Sequence, residues 1–237
     1  GGGVVGAPSA YCTGAATCTA TNPGQCDLLC EDFAGTSTCD SDNTPDIGAT
    51  CRNGWVATVQ SNTAIAAVAH SGTFACNDKG AKALQFTSTN ANNIVYMQKD
   101  FAGDEAITYM QLYFNVVSGA PNNTDDFTIV GGEKLDLQVA YRVHVLNTSG
   151  TLNLKHSYFD DGVGDRVNLT GATSISRDTW YRLRVAANKT AGTIVVNLND
   201  TAEFSVSTYT NDLGMGSIRV GSFDSYCTHV FQIDSIS

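Results

Sequence analysis

Apolar residues along this chain come in short alternating runs, broken every few residues by Gly, Asn, Asp or Ser, and no run keeps a helical period for more than a turn or two. A chain patterned this way can bury its apolar side chains only by pairing strands and stacking sheets. The candidate strands are Val56 to Gln60, Ala83 to Thr87, Ile94 to Gln98, Ile107 to Val117, Phe127 to Val130, Leu135 to Leu146, Thr151 to Phe159, Trp180 to Ala187, Thr193 to Leu198, Ala202 to Val206, Ser217 to Gly221 and Val230 to Ile236. That set fills two packed antiparallel sheets, so the expected class is an all-β jelly-roll sandwich. The 237 residues suit one such unit.

Two hairpins are explicit. Leu135 to Phe159 turns at Asn147-Thr148-Ser149-Gly150. With those four residues as the loop, Leu146 faces Thr151. Tyr141, Val143 and Val145 then share one face with Leu152, Leu154, His156 and Tyr158, while Arg142 and His144 share the other with Asn153, Lys155 and Ser157. The second hairpin, from Thr179 to Phe204, turns at Lys189-Thr190-Ala191-Gly192. Trp180, Leu183 and Val185 are its expected core positions, and alternation fails at Trp180-Tyr181, which suggests a bulge.

Residues 1–30 differ from the rest. They are rich in Gly and small residues, hold Cys12, Cys18, Cys26 and Cys30, and lack the periodicity needed for a core, so they read as a Cys-rich extension held by disulfides before a domain at 31–237. The eight cysteines are an even set without a CxxC–His pattern, which favours an oxidising compartment over zinc. The chain begins at Gly1 with no Met and no apolar leader, as a mature product of secretion would. No stretch is long and apolar enough for a membrane-spanning helix. With 23 acidic against 13 basic residues and a net charge of -10, nucleic acid and anionic membranes are poor partners.

Asp40, Asp42 and Asp46 place oxygen ligands at alternate positions of a loop, a pattern suited to calcium, although Asp-rich turns also cap their own backbone. Sequons stand at Asn122, Asn147, Asn168, Asn188 and Asn199, with Asn147 and Asn188 at hairpin turns where a glycan would project into solvent. No Gly-x-Ser-x-Gly elbow is present. Glu133 and Asp136, three apart, have opposite phase on a strand and do not make a glycosidase pair.

Four stretches in order carry a family likeness: Cys30-Glu31-Asp32-Phe33, Lys79 to Phe86 after His70-Ser71-Gly72, Thr179 to Val185 before a strand and an Asn-Asp turn, and Phe231 to Ile236. Together they resemble the concanavalin A-like lectin/glucanase superfamily and, within it, the bacterial laminin-G-like jelly rolls. The resemblance implies that the first and last strands lie side by side, Glu31 to Phe33 against Val230 to Ile236. That adjacency in turn makes Cys39 with Cys227 and Cys51 with Cys76 attractive among the 105 pairings open to eight cysteines. Lectins of this fold use an aromatic platform beside Asp and Asn, for which Trp55, Tyr209 and Tyr226 are candidates. The family's glucanase strand Glu-x-Asp-x-x-Glu is absent, as are the Gln-Ile-His and Tyr-x-Lys-x-Gly-x-Tyr-x-Gln motifs of its polysaccharide lyases. A lyase would draw on Arg142, His144, Lys155, His156 and Tyr158, split between the two faces of one hairpin.

The sequence therefore favours a non-catalytic extracellular protein that binds glycans or copies of itself at a cell surface. A filament subunit joined through its N-terminal segment and a secreted polysaccharide lyase are the alternatives.

Overall fold

A computed structural model describes residues 55–69, 82–105, 107–134, 139–160, 165–207, 215–234 and 236. Among them there are fourteen strands and no helix: β1 (Val56–Val59), β2 (Thr63–Ala69), β3 (Lys82–Ser88), β4 (Val95–Glu105), β5 (Ile107–Gly119), β6 (Asp126–Lys134), β7 (Val139–Thr148), β8 (Thr151–Asp160), β9 (Asp165–Ile175), β10 (Trp180–Asn188), β11 (Thr193–Leu198), β12 (Thr201–Val206), β13 (Met215–Ser222) and β14 (His229–Asp234). They form two seven-stranded antiparallel sheets, in the orders β1-β4-β13-β6-β7-β8-β9 and β12-β11-β10-β5-β14-β3-β2. The expected jelly-roll sandwich is the fold. With no helix among these residues, none is present that could cross a membrane.

The strands missed by sequence pattern, β2 and β9, are both sheet edges. Their residues alternate weakly because an edge strand has fewer neighbours to cover its outward side chains. The extension at 1–30, the Asp40/Asp42/Asp46 loop, Tyr209 and every cysteine except Cys227 lie outside the described residues.

Three corrections follow from register. The β7–β8 turn is tighter than expected: Thr148 pairs with Thr151, leaving Ser149 and Gly150 as a two-residue loop with positive φ at both positions. The shift from the expected pairing is an even number of residues, so the two faces of the hairpin are those read from the sequence. In the next hairpin there is no break in alternation: Tyr181, Leu183 and Val185 point inward, and Trp180 lies on the outer face. The third correction concerns the last strand. From His229 to Ile233 both edges are taken, by β3 and β5 and not by Glu31 to Phe33, which lie outside the described residues.

The core is aromatic at its centre. Phe127 of the first sheet stacks on Phe231 of the second with ring centroids 5.3 Å apart, and Phe231 stacks in turn on Phe86 at 5.2 Å. Two histidines are built into this core. His229 stacks on Phe127 at 4.6 Å, and His156 lies between Tyr158 at 5.4 Å and Phe204 at 5.6 Å, joining the sheets on the other side. His229 Nδ1 is 3.0 Å from the Cys227 carbonyl and His156 Nδ1 is 3.2 Å from the Arg142 carbonyl, while neither Nε2 has a partner. Burial lowers both pKa values from 6.5 to about 4.

Those shifts set a sign for stability. Below about pH 6.5 the unfolded chain binds protons at both imidazoles that the folded chain refuses, so the stabilisation is whole above pH 6.5 and is lost as pH falls toward 4. Each histidine contributes up to about 3 kcal/mol across that window. Urea unfolding between pH 7 and pH 4.5 should show the midpoint falling, and His156→Gln should flatten that slope whatever it does to the stability at pH 7. An unchanged slope in the variant would contradict the assignment.

Candidate functional site

The first sheet has one face in the core and one turned away from it. Along β7, Val143 and Val145 go inward, so Arg142 and His144 face outward. Opposite them on β8 stand Ser157 and Lys155. The row through Arg142 runs in register across six strands: Gln98 on β4, Arg219 on β13, Gly131 on β6, Arg142, Ser157 and then Asn168 on β9. Gly131 sits between the two arginines for lack of room. A Cβ there would come within 2.8 Å of the Phe223 ring and 3.2 Å of Arg142 Cγ.

Three cations on this face are held by carboxylates. Arg142 Nη1 pairs with Asp224, Lys155 Nζ with Asp126, and Arg219 Nη1 with Glu133 Oε1 at 2.7 Å. Arg219 Nε also donates to Gln98 Oε1 at 2.6 Å. Phe223 lies against both arginines, 5.3 Å from the Arg142 guanidinium and 5.9 Å from that of Arg219, and Tyr96 covers Arg219 at 4.7 Å. His144 is 1% exposed, with Nε2 3.0 Å from Ser157 Oγ and Nδ1 3.8 Å from Asp126 Oδ1. Glu133 is equally enclosed, and its Oε2 has no hydrogen-bond partner. Burial raises its pKa above the usual carboxylate value, against the opposing pull of Arg219 and Arg142.

The site residues read from the sequence divide accordingly. Arg142, His144 and Lys155 come together on the polar face, whereas His156 and Tyr158 lie on the core side of β8, as the period of a strand requires. Trp55, a candidate sugar platform, is instead packed in the core at 1% exposure. Tyr226 is 59% exposed, in the loop whose Asp224 reaches Arg142. Cys227 is buried, with Sγ 3.6 Å from the Asp126 carbonyl oxygen, and its expected partner Cys39 is outside the described residues. Of the sequons, Asn122, Asn168 and Asn199 are exposed and Asn188 is half-buried. Asn147 does not project as expected: its Nδ2 donates to the Ala120 carbonyl at 2.7 Å and its Oδ1 accepts from the Gly150 amide at 2.7 Å, so the side chain closes the hairpin turn. Among the described residues no group of three or more His, Cys, Asp or Glu could hold a metal ion.

Sequence reasoning missed Arg219 and Asp126, and it read Asp224 only as the neighbour of Tyr226 and not as the partner of Arg142. The phase of Arg219 between Ile218 and Val220 was readable; its place one strand from Gly131 depends on long-range pairing that no local pattern reveals.

The Lys155–Asp126 pair is testable by a double-mutant cycle. Lys155→Met leaves a buried carboxylate without its ammonium and should cost about 2 kcal/mol, discounted from a fully buried pair because Lys155 still reaches solvent. Asp126→Asn with Lys155→Met should cost less than the sum of the singles, by about 1 kcal/mol or more. Additive unfolding energies would mean that the pair is not coupled.

Comparison with known proteins yields fold alone. No family model matches the sequence, and no curated protein matches it. Among solved structures, a sialidase superposes with a TM-score of 0.55 at 9% identity over 88% of this chain and 18% of its own, so this chain spans a small part of that protein. A structure described as cellulose induced protein, Cip1, has a TM-score of 0.53 at 10% identity, covering 77% of this chain and 89% of that one. The alginate lyase AlyC3 has a TM-score of 0.52 at 10% identity, covering 68% and 75%. What this chain shares with them is the fold, a jelly-roll sandwich.

Proposed function

We propose that this protein is a secreted polysaccharide lyase that takes a uronate polymer across the polar face of its first sheet. The observation that carries the proposal is the outward cluster of Arg142 and His144 on β7 with Lys155 and Ser157 on β8. A neutraliser, a proton acceptor and an ammonium donor stand together on two neighbouring strands. The likeness in fold to a structure described as an alginate lyase supports this reading over the non-catalytic one favoured by the sequence.

Elimination next to a uronate carboxylate needs three things. The carboxylate must be neutralised so that the carbon beside it can lose a proton, a base must take that proton, and the departing glycosidic oxygen must receive one. Arg142 is placed for the first task and His144 for the second, with Ser157 holding the imidazole. The C–H electrons form the new C=C bond as the C–O bond breaks, and Lys155 is the ammonium placed to protonate the leaving oxygen. Phe223, whose ring lies 5.3 Å from the Arg142 guanidinium, carries no hydroxyl that could serve instead.

A second reading is favoured by a specific observation. The three cations are already paired with carboxylates and His144 is almost fully enclosed, as suits a face that holds a glycan without turning it over. Self-assembly through the N-terminal segment rests on residues outside those described.

Incubation with a panel of uronate polysaccharides separates the two. A lyase releases unsaturated ends that absorb in the ultraviolet, and His144→Ala should lower that rate about 100-fold or more while polymer binding changes only severalfold. Retained binding with no unsaturated ends on any polymer would leave the non-catalytic reading.

A further inference from the structure

Arg219 has no part in the elimination set out above, yet it shares a row with Arg142. Across the strands this row reads Gln98, Arg219, Gly131, Arg142, Ser157 and Asn168, without one apolar side chain. A guanidinium carries five N–H donors. In Arg219, Nε gives one to Gln98 Oε1 at 2.6 Å and Nη1 gives one to Glu133 Oε1 at 2.7 Å. Nη2 bonds none of the described residues and, unlike Arg142 Nε, is not shut off from solvent. With 17% of its side chain exposed, Arg219 has donors to spare and a path by which a ligand reaches them.

The sheet sets the distance between the two arginines. One strand, β6, separates them, so their backbones lie about 10 Å apart. Each head group has its own anchors: Tyr96 and Gln98 of β4 and Glu133 of β6 hold Arg219, and Asp224 holds Arg142.

That distance matches one kind of uronate chain. A pyranose ring joined through equatorial bonds advances an extended chain by about one strand spacing, and successive rings turn over. Carboxylates on every second residue then face the same side about 10 Å apart, in step with Arg142 and Arg219 when the chain is laid across the strands. Rings joined through axial bonds advance the chain less and fall out of step. The direction follows from the elimination. Lys155, placed to protonate the leaving oxygen, stands on β8, so the departing chain lies on that side of Arg142. The opened uronate keeps the chain on its reducing-end side, which runs the other way, over Gly131 to Arg219.

We infer that Arg219 is a second carboxylate subsite, which holds the second residue beyond the opened uronate and selects polymers of equatorially linked uronates. Its direction rests on the lyase reading; its spacing does not. Initial rates on mannuronate oligomers of defined length, joined through equatorial bonds, test it, with guluronate oligomers as the axial comparison. The double variant Glu133→Gln with Arg219→Gln avoids leaving a buried carboxylate unpaired. Against Glu133→Gln alone, it should raise KM about tenfold on mannuronate hexamers, with a smaller change in kcat, and less than about twofold on trimers, which end one residue short of Arg219. Glu133→Gln alone should lower KM on the hexamers, since no protein carboxylate then competes for the guanidinium. Equal penalties on trimers and hexamers, equal penalties on mannuronate and guluronate hexamers, or a higher KM in Glu133→Gln would overturn the inference. If no oligomer yields unsaturated ends, the lyase reading fails by itself, and retardation in gels containing polymannuronate decides this one. Retardation weaker in the double variant than in Glu133→Gln supports the subsite, and equal retardation overturns it.

Discussion

The pairing of β7 with β8 is the constraint on which the polar face depends. Ser149 and Gly150 close it with two residues of positive φ, and from that turn the register runs unbroken from Thr148–Thr151 to Tyr141–Tyr158. A slip of one residue would exchange the faces of one strand against the other. His144 and His156 show what the register decides. Each is an almost fully enclosed imidazole, yet one faces Ser157 and Asp126 among ions, and the other is wedged between Tyr158 and Phe204 and made hard to protonate.

From that hairpin the polar face extends through a glycine. At Gly131 the β6 backbone passes between Arg219 and Arg142 with no side chain of its own, and the Phe223 ring fills the space above. The strands lie about 4.8 Å apart, so two guanidiniums come within roughly 10 Å of each other, each kept from repelling the other by its own carboxylate. The arrangement is a charged floor whose cations stand on strands, with Phe223 and Asp224 supplied by the loop after β13.

Much of this was legible. Twelve strands, the jelly-roll class and the partition of Arg142, His144 and Lys155 from His156 and Tyr158 follow from turn residues and a period of two. What was not legible has physical causes. Edge strands β2 and β9 lack the two-sided contrast that marks a strand. Trp180 reads as core by its size, but its phase opposite Tyr181, Leu183 and Val185 puts it on the outer face. Asn147 reads as a projecting sequon, but a turn this tight needs a side chain to cap it. The partners of Arg142, Lys155 and Arg219 come from segments distant in sequence, and only the folded sheet brings them together.

The polar face and the core respond to acid in opposite directions. Glu133 has its pKa raised by burial, so it protonates earlier than an ordinary carboxylate as pH falls, which removes the negative charge that occupies Arg219 and leaves that guanidinium available to an anionic ligand. Protonation there is easier in the folded state than in the unfolded one, so it adds to stability as pH drops. His156 and His229 act in the other direction, because the folded core refuses the protons that the unfolded chain accepts. Mild acid thus strengthens the positive character of the polar face while weakening the core beneath it.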